Sequence, residues 1–165
     1  MPHRPAGSPL DRGVSQTGPL FRPCGMTSRT WLRAGIILLI ALDGLVGIWQ
    51  YFFPRSFYED FPTVRLDPPY NEHLVSDVGG LNIALVGVLI IAAVYLEQRL
   101  VTAALTGFAL YSLTHFAFHV RHFDHFSLRD AVGVGTGLGF ELVLTVALLV
   151  LNLRMGRRVA PVAAR

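Results

Sequence analysis

Four long apolar segments, separated by short polar ones, dominate the pattern of this chain. They cover residues 34–53, 74–96, 100–120 and 131–151. A helix of about 20 apolar residues, rising about 1.5 Å per residue, crosses the hydrocarbon core of a bilayer. The pattern therefore predicts four membrane-spanning helices. Since the connections are short, we expect an all-α, antiparallel up-and-down bundle.

The boundaries of these segments carry residues that stop and start helices. Pro54 follows the first segment, and Asn71, placed after two prolines, suits the N-cap of the second. Residues 97–99, between the second and third segments, predict a tight turn that makes these two helices antiparallel neighbours. Ser127 and Asp130 have the spacing of a capping box at the start of the fourth helix.

The segments before and after the predicted bundle differ from it in composition. Residues 1–29 are rich in Pro, Gly, Ser and Arg, without apolar periodicity, and predict a disordered tail. Met26 offers an alternative translation start, which would leave residues 1–25 untranslated. We expect a transmembrane domain over residues 30–152, followed by a basic tail over 153–165.

Composition and charge support a membrane protein and give it an orientation. Hydrophobic residues make up 52% of the chain and charged ones only 15%, which is unlike a soluble domain. All 14 basic residues are arginines, and ten of them lie on the side of the two termini and the 97–99 turn, against four on the other side. This bias predicts a multi-pass protein of the plasma membrane with both termini in the cytoplasm. Because the arginines flank apolar segments, nucleic-acid binding is not expected. The single cysteine, Cys24, excludes an intrachain disulfide and a c-type haem motif.

Small or polar residues recur at helical spacing in each segment, as expected for faces that point into a membrane bundle. We predict that these faces meet around one axis. The residues are Asp43, Gly47 and Gln50 in the first segment; His73, Asp77, Gly80, Ala84 and Gly87 in the second; Tyr111, His115, His119 and His122 in the third; and Gly133, Gly137 and Glu141 in the fourth.

Two carboxylic acids are predicted deep inside the membrane. Asp43 and Glu141 each lie about ten residues from the outer end of their segment, or roughly 15 Å deep. Intramembrane carboxyl groups are costly and often carry protons or ions, which makes both residues candidates for a proton relay. A protonated carboxyl group can equally hold helices together through a hydrogen bond. The sequence leaves both alternatives open.

The histidines near the outer end of the third segment suggest a metal site. His115 and His119 are four residues apart and therefore adjacent on a helix, and His73 and Asp77 are expected on the neighbouring helix. These four residues suit zinc, copper or iron, whereas haem b would need a gap between the helices. The alternative is that the histidines only bond the end of their own helix. No catalytic motif appears, and we predict no catalytic residue.

The start of the second segment resembles a known group of proteins. Residues 71–85, Asn-Glu-His-Leu-Val-Ser-Asp-Val-Gly-Gly-Leu-Asn-Ile-Ala-Leu, are similar to this stretch in small bacterial four-helix membrane proteins of the broad DoxX-like type. The resemblance implies a four-helix membrane fold over about residues 30–152. Some members are linked to quinone-coupled redox enzymes. The alternative to a metal-binding protein is an accessory or structural subunit of a quinone- or proton-linked redox complex, without a catalytic site of its own. Its expected partner is another membrane protein or a second copy of this chain.

Overall fold

The computed structural model describes residues 27–66 and 69–157, and no strand occurs in these two ranges. Four of its helices are long and apolar enough to cross a membrane: α1, α3, α4 and α5. The prediction of an all-α, four-helix bundle is confirmed. The helices are α1 (Ser28–Phe52), α2 (Pro54–Asp60), α3 (Glu72–Tyr95), α4 (Gln98–Arg121) and α5 (Leu128–Arg157), with 3-10 turns at Val64–Leu66 and Phe123–His125.

The predicted helix starts are confirmed by their capping bonds. The Leu74 N–H donates to Asn71 Oδ1 at 3.1 Å. At the start of α5, the Asp130 N–H donates to Ser127 Oγ at 3.2 Å, and that hydroxyl donates to Asp130 Oδ2 at 2.7 Å. The two backbone bonds satisfy N–H groups that have no partner inside a helix, and the side-chain bond holds Ser127 and Asp130 together.

Two predicted boundaries of the flanking segments need correction. Helix α5 continues to Arg157, so residues 153–157 belong to the helix rather than to a tail. Helix α1 begins at Ser28, inside the predicted N-terminal tail. Residues 1–26, which include the alternative start at Met26, and residues 158–165 lie outside the described residues. Both helices continue into polar sequence, since a membrane-spanning helix does not have to end at the boundary of the hydrocarbon core.

The bundle has two ends that differ in their connections. We call the end with the two-residue link between α3 and α4 the turn end, and the end with α2 and Phe123–His125 the loop end. Contacts are most extensive between α1 and α3 and between α4 and α5, while α3–α4 and α1–α5 contacts are fewer. The antiparallel neighbours α3 and α4 are thus confirmed, although each packs more closely against another helix.

The apolar core lies in the half of the bundle nearest the turn end. Its side chains come from all four long helices and exclude solvent almost completely, as a close-packed interior does. They are Leu32, Ile36 and Leu39 of α1; Leu89, Ala92 and Ala93 of α3; Val101, Ala104, Leu105 and Phe108 of α4; and Leu148 of α5. The other half is therefore free to contain polar groups between the helices.

Helix α3 turns a different face to the bundle from the one predicted. Its buried residues include Gly79, Asn82 and Val86, whereas His73 and Asp77 are exposed. The reason is the close approach of α1: a Cβ atom on Gly79 would lie 2.6 Å from the backbone nitrogen of Tyr51. Only glycine permits this contact, so Gly79 fixes the rotation of α3.

The glycine run of α5 is also oriented differently from the prediction. Gly133 and Gly137 are exposed, with no neighbouring atom within 4 Å of a Cβ placed on them. Gly135 and Gly139 are half-buried instead, and such a Cβ would lie 3.6 Å from the rings of Phe123, in the 3-10 turn, and Phe116, in α4. The two rings therefore pack against this face of α5 and not against the face of Gly133 and Gly137.

Candidate polar site in the bundle

Polar side chains from all four long helices gather beyond the core, toward the loop end. We call this set the polar cluster. Asp43, Gln50, Asn82 and Ser112 are buried within it, and Tyr111 and Glu141 are half-buried. Its members are Asp43 and Gln50 of α1, Asn82 of α3, Tyr111 and Ser112 of α4, and Glu141 of α5.

Within the polar cluster, α1 and α3 each supply one side-chain oxygen that has no hydrogen-bond partner among the described residues. Asn82 Nδ2 donates to Gln50 Oε1 at 2.9 Å, across the close contact between the two helices. Asn82 Oδ1 and Asp43 Oδ2 are buried without a hydrogen-bond partner among the described residues. Asp43 as a whole residue is only 6% exposed. A buried acceptor without a donor is costly, so a proton, a water molecule or a ligand is needed to complete this part of the cluster.

Helices α4 and α5 bring a second carboxyl group to the same place. Ser112 Oγ lies 2.5 Å from Glu141 Oε1, to which it donates, and 3.0 Å from the carbonyl oxygen of Phe108. Asp43 and Glu141 are close enough to interact electrostatically, and Tyr111 interacts with both and lies beside Asn82. The two carboxyl groups predicted near the membrane centre therefore share one polar environment.

A row of rings leads from the polar cluster toward the loop end. The Tyr111 and His115 rings stack with centroids 5.6 Å apart, and the His115 and His119 rings follow at 4.8 Å. All three residues are half-buried. His122 does not continue this row, because it is exposed, stacks on Phe118 and places its Nδ1 2.7 Å from that residue's carbonyl oxygen. For His122 the predicted bonding to the end of its own helix is confirmed.

The four residues of the predicted metal site fall into two pairs. His73 Nε2 and Asp77 Oδ2 are 3.3 Å apart on the exposed face of α3, with side chains 87% and 65% exposed. His115 and His119 form the ring pair of α4. Across the described ranges, no three His, Cys, Asp or Glu residues gather in a way that could hold a metal ion. The rotation of α3 around Gly79 explains why its pair does not join that of α4, and metal binding stays a prediction.

The sequence pattern identified only part of this site. It found Asp43, Gln50, His115, His119 and Glu141, and the structure places all of them on inward or half-buried faces. It missed Asn82 and Ser112. The available signal for Asn82 was a lone amide in the middle of an apolar segment, where polar groups are rare and usually bonded to another helix.

The connection between α1 and α3 closes the loop end with aromatic side chains. Trp49 meets Phe57 and Phe61 at ring-centroid distances of 5.7 and 6.1 Å. Arg55 Nε donates to Glu59 Oε1 at 2.5 Å, and this bond and the nearby negative charge raise the pKa of Arg55. The sequence pattern did not predict the short helix α2. Such amphipathic rings suit the boundary between lipid and water.

Comparison with family models, curated proteins and solved structures finds no match to this chain.

Proposed function

We propose that this chain is a proton-exchanging subunit of the plasma membrane, in which Asp43 and Glu141 take up and release a proton through the loop end. One observation carries the proposal: two carboxyl groups from different helices share a buried environment in which Asp43 Oδ2 has no hydrogen-bond partner among the described residues. Intramembrane carboxyl groups facing a bundle interior are typical of proton pathways. The row Tyr111, His115 and His119 supplies groups that can pass a proton onward.

The chain performs no catalysis in this proposal and serves a partner that does. The similarity of residues 71–85 to DoxX-like proteins favours a quinone- or proton-linked redox complex as that partner, with a second copy of this chain as the alternative. Co-purification from native membranes under mild detergent identifies which protein is bound.

Infrared spectroscopy of the purified protein tests whether the two carboxyl groups exchange protons. We expect the carbonyl band of protonated carboxylic acid to disappear as pH rises, and to be reduced in Asp43→Asn and Glu141→Gln. Both substitutions preserve hydrogen-bonding ability, so the fold should survive the loss of the proton. Asp124→Asn, in an exposed 3-10 turn, is the matched control and should leave the buried band intact.

A buried band that is present but never titrates would overturn the proposal. In that case the carboxyl groups would only join helices through hydrogen bonds. A band unaffected by the double variant Asp43→Asn, Glu141→Gln would also contradict it, because the titrating groups would then lie elsewhere.

The proposal places both termini in the cytoplasm, as the arginine distribution predicts. We expect a membrane-impermeant thiol reagent added outside intact cells to label Asp124→Cys and not Glu97→Cys. Both positions are exposed, one at the loop end and one at the turn end, and both variants are made in a Cys24→Ser background. Labelling of Glu97→Cys alone would show the opposite orientation.

Binding of zinc, copper or iron is the second candidate function. It is favoured by the His115 and His119 rings, which lie 4.8 Å apart on successive turns of α4 and could supply two ligands. Haem b between His73 and one of these histidines has less support, since His73 lies on an exposed face. Metal analysis of the protein from its native host, with and without His115→Ala and His119→Ala, separates this candidate from the first.

A further inference from the structure

An open groove runs along the lipid-facing side of the α1–α3 pair, near the turn end. It has a volume of about 420 Å³ and is a shallow depression rather than an enclosed cavity. Its walls are apolar apart from one guanidinium group. The lining residues are Arg33, Ile37 and Ile40 of α1, and Ile90, Ala93 and Val94 of α3.

The guanidinium group of Arg33 is held in place at one end of this groove. Its Nε donates to the carbonyl oxygen of Ala93 at 3.1 Å, and its Nη2 donates to that of Val94 at 3.4 Å. These bonds occupy only part of its five N–H donors. The ion pairs found in the described ranges involve other residues, so the charge of Arg33 has no carboxylate against it there.

Charge and position together indicate what the groove binds. Arg33 is the last charged residue before the apolar segment 34–53, which places it at the level of lipid headgroups. The isoleucines continue from it into the hydrocarbon, at the i+4 and i+7 positions of α1. Arg29 adds a second positive charge one turn earlier. The groove thus offers a cationic end at headgroup depth and an apolar wall below.

We propose that this groove is a binding site for an anionic phospholipid. The phosphate group contacts the free N–H donors of Arg33, and one acyl chain lies along Ile37, Ile40 and Ile90. Arginine suits this role because its planar donors match phosphate oxygens. The site is distinct from the polar cluster and does not depend on proton exchange.

Native mass spectrometry of the full chain in mild detergent tests the proposal, with phosphatidylglycerol and phosphatidylcholine as probes. We expect Arg33→Gln to weaken phosphatidylglycerol binding about tenfold, the factor that the loss of one hydrogen bond to a charged group contributes. Phosphatidylcholine binding should change by less. Arg154→Gln, an exposed arginine of α5 at the same end, is the matched control and should bind as the unmodified protein does.

A second pair of variants tests the apolar wall. Ile90→Trp fills the groove and should reduce bound phosphatidylglycerol, whereas Ile91→Trp alters an equally exposed residue outside it and should not. Excess inorganic phosphate should not displace the lipid, since it lacks an acyl chain. Equal losses in Arg33→Gln and Arg154→Gln, no effect of Ile90→Trp, or displacement by phosphate would each overturn the proposal.

Discussion

Replacing Gly79 by alanine is expected to destabilise the bundle by about 2–3 kcal/mol, near the upper end of the usual cost of overpacking. The added Cβ would lie 2.6 Å from the Tyr51 backbone nitrogen and 2.8 Å from Gln50 Cβ. Because one neighbour is backbone, a rotamer change cannot relieve the clash. Helices α1 and α3 must separate, and the hydrogen bond between Gln50 and Asn82 is lost with their contact.

Gly87→Ala is the matched control for this prediction. It lies two turns further along the same helix, and a Cβ placed there has no neighbour within 4 Å. Alanine favours helix over glycine by up to about 1 kcal/mol in water, so this variant should be neutral or slightly stabilised. Unfolding in mixed micelles, followed by circular dichroism, gives both values. Equal stabilities for the two variants would show that α1 and α3 do not make this close backbone contact.

Replacing His119 by phenylalanine is expected to slow proton exchange at the carboxyl pair at least tenfold. The half-buried rings of Tyr111, His115 and His119 form the row that leads from the polar cluster toward the loop end. Phenylalanine keeps an aromatic ring at this position while removing both nitrogens that can carry a proton. In enzymes, a positioned general acid or base contributes about 10² to 10⁴ to the reaction rate, so a tenfold slowing is a minimum expectation for the loss of such a group.

His122→Phe is the control for the histidine row. His122 is exposed and bonded to the end of its own helix, outside the ring succession. Exchange rates should therefore remain close to those of the unmodified protein. A similar slowing in both variants would indicate a general effect of charge at the loop end rather than a path through His119.

Apolar segment length was sufficient to predict the four spanning helices, because a bilayer imposes a minimum length on any helix that crosses it. The rotation of each helix was harder to predict. On α1 the polar face was also the packed face, so Asp43 and Gln50 were identified correctly. On α3 the polar residues His73 and Asp77 lie near a helix end, where water can solvate them, and they therefore did not mark the inward side.

The local contact that decides the rotation of α3 is a steric one. In residues 79–80 the sequence offers two adjacent glycines, and nothing in the pattern distinguishes them. Only the three-dimensional approach of Tyr51 selects Gly79. The same difficulty applies to α5, where alternating glycines point to opposite sides and the polar residue Glu141 does not reveal which set is packed against the bundle.

The most direct test of the proposed function is a pH jump applied to one side of vesicles that contain the oriented protein. With the loop end facing the jump, the infrared band of the buried carboxylic acids should respond quickly, and slowly in His119→Phe. A jump applied only at the turn end should give a much slower response, because the apolar core separates that side from Asp43 and Glu141. A response that is equally fast from the turn end would contradict the account.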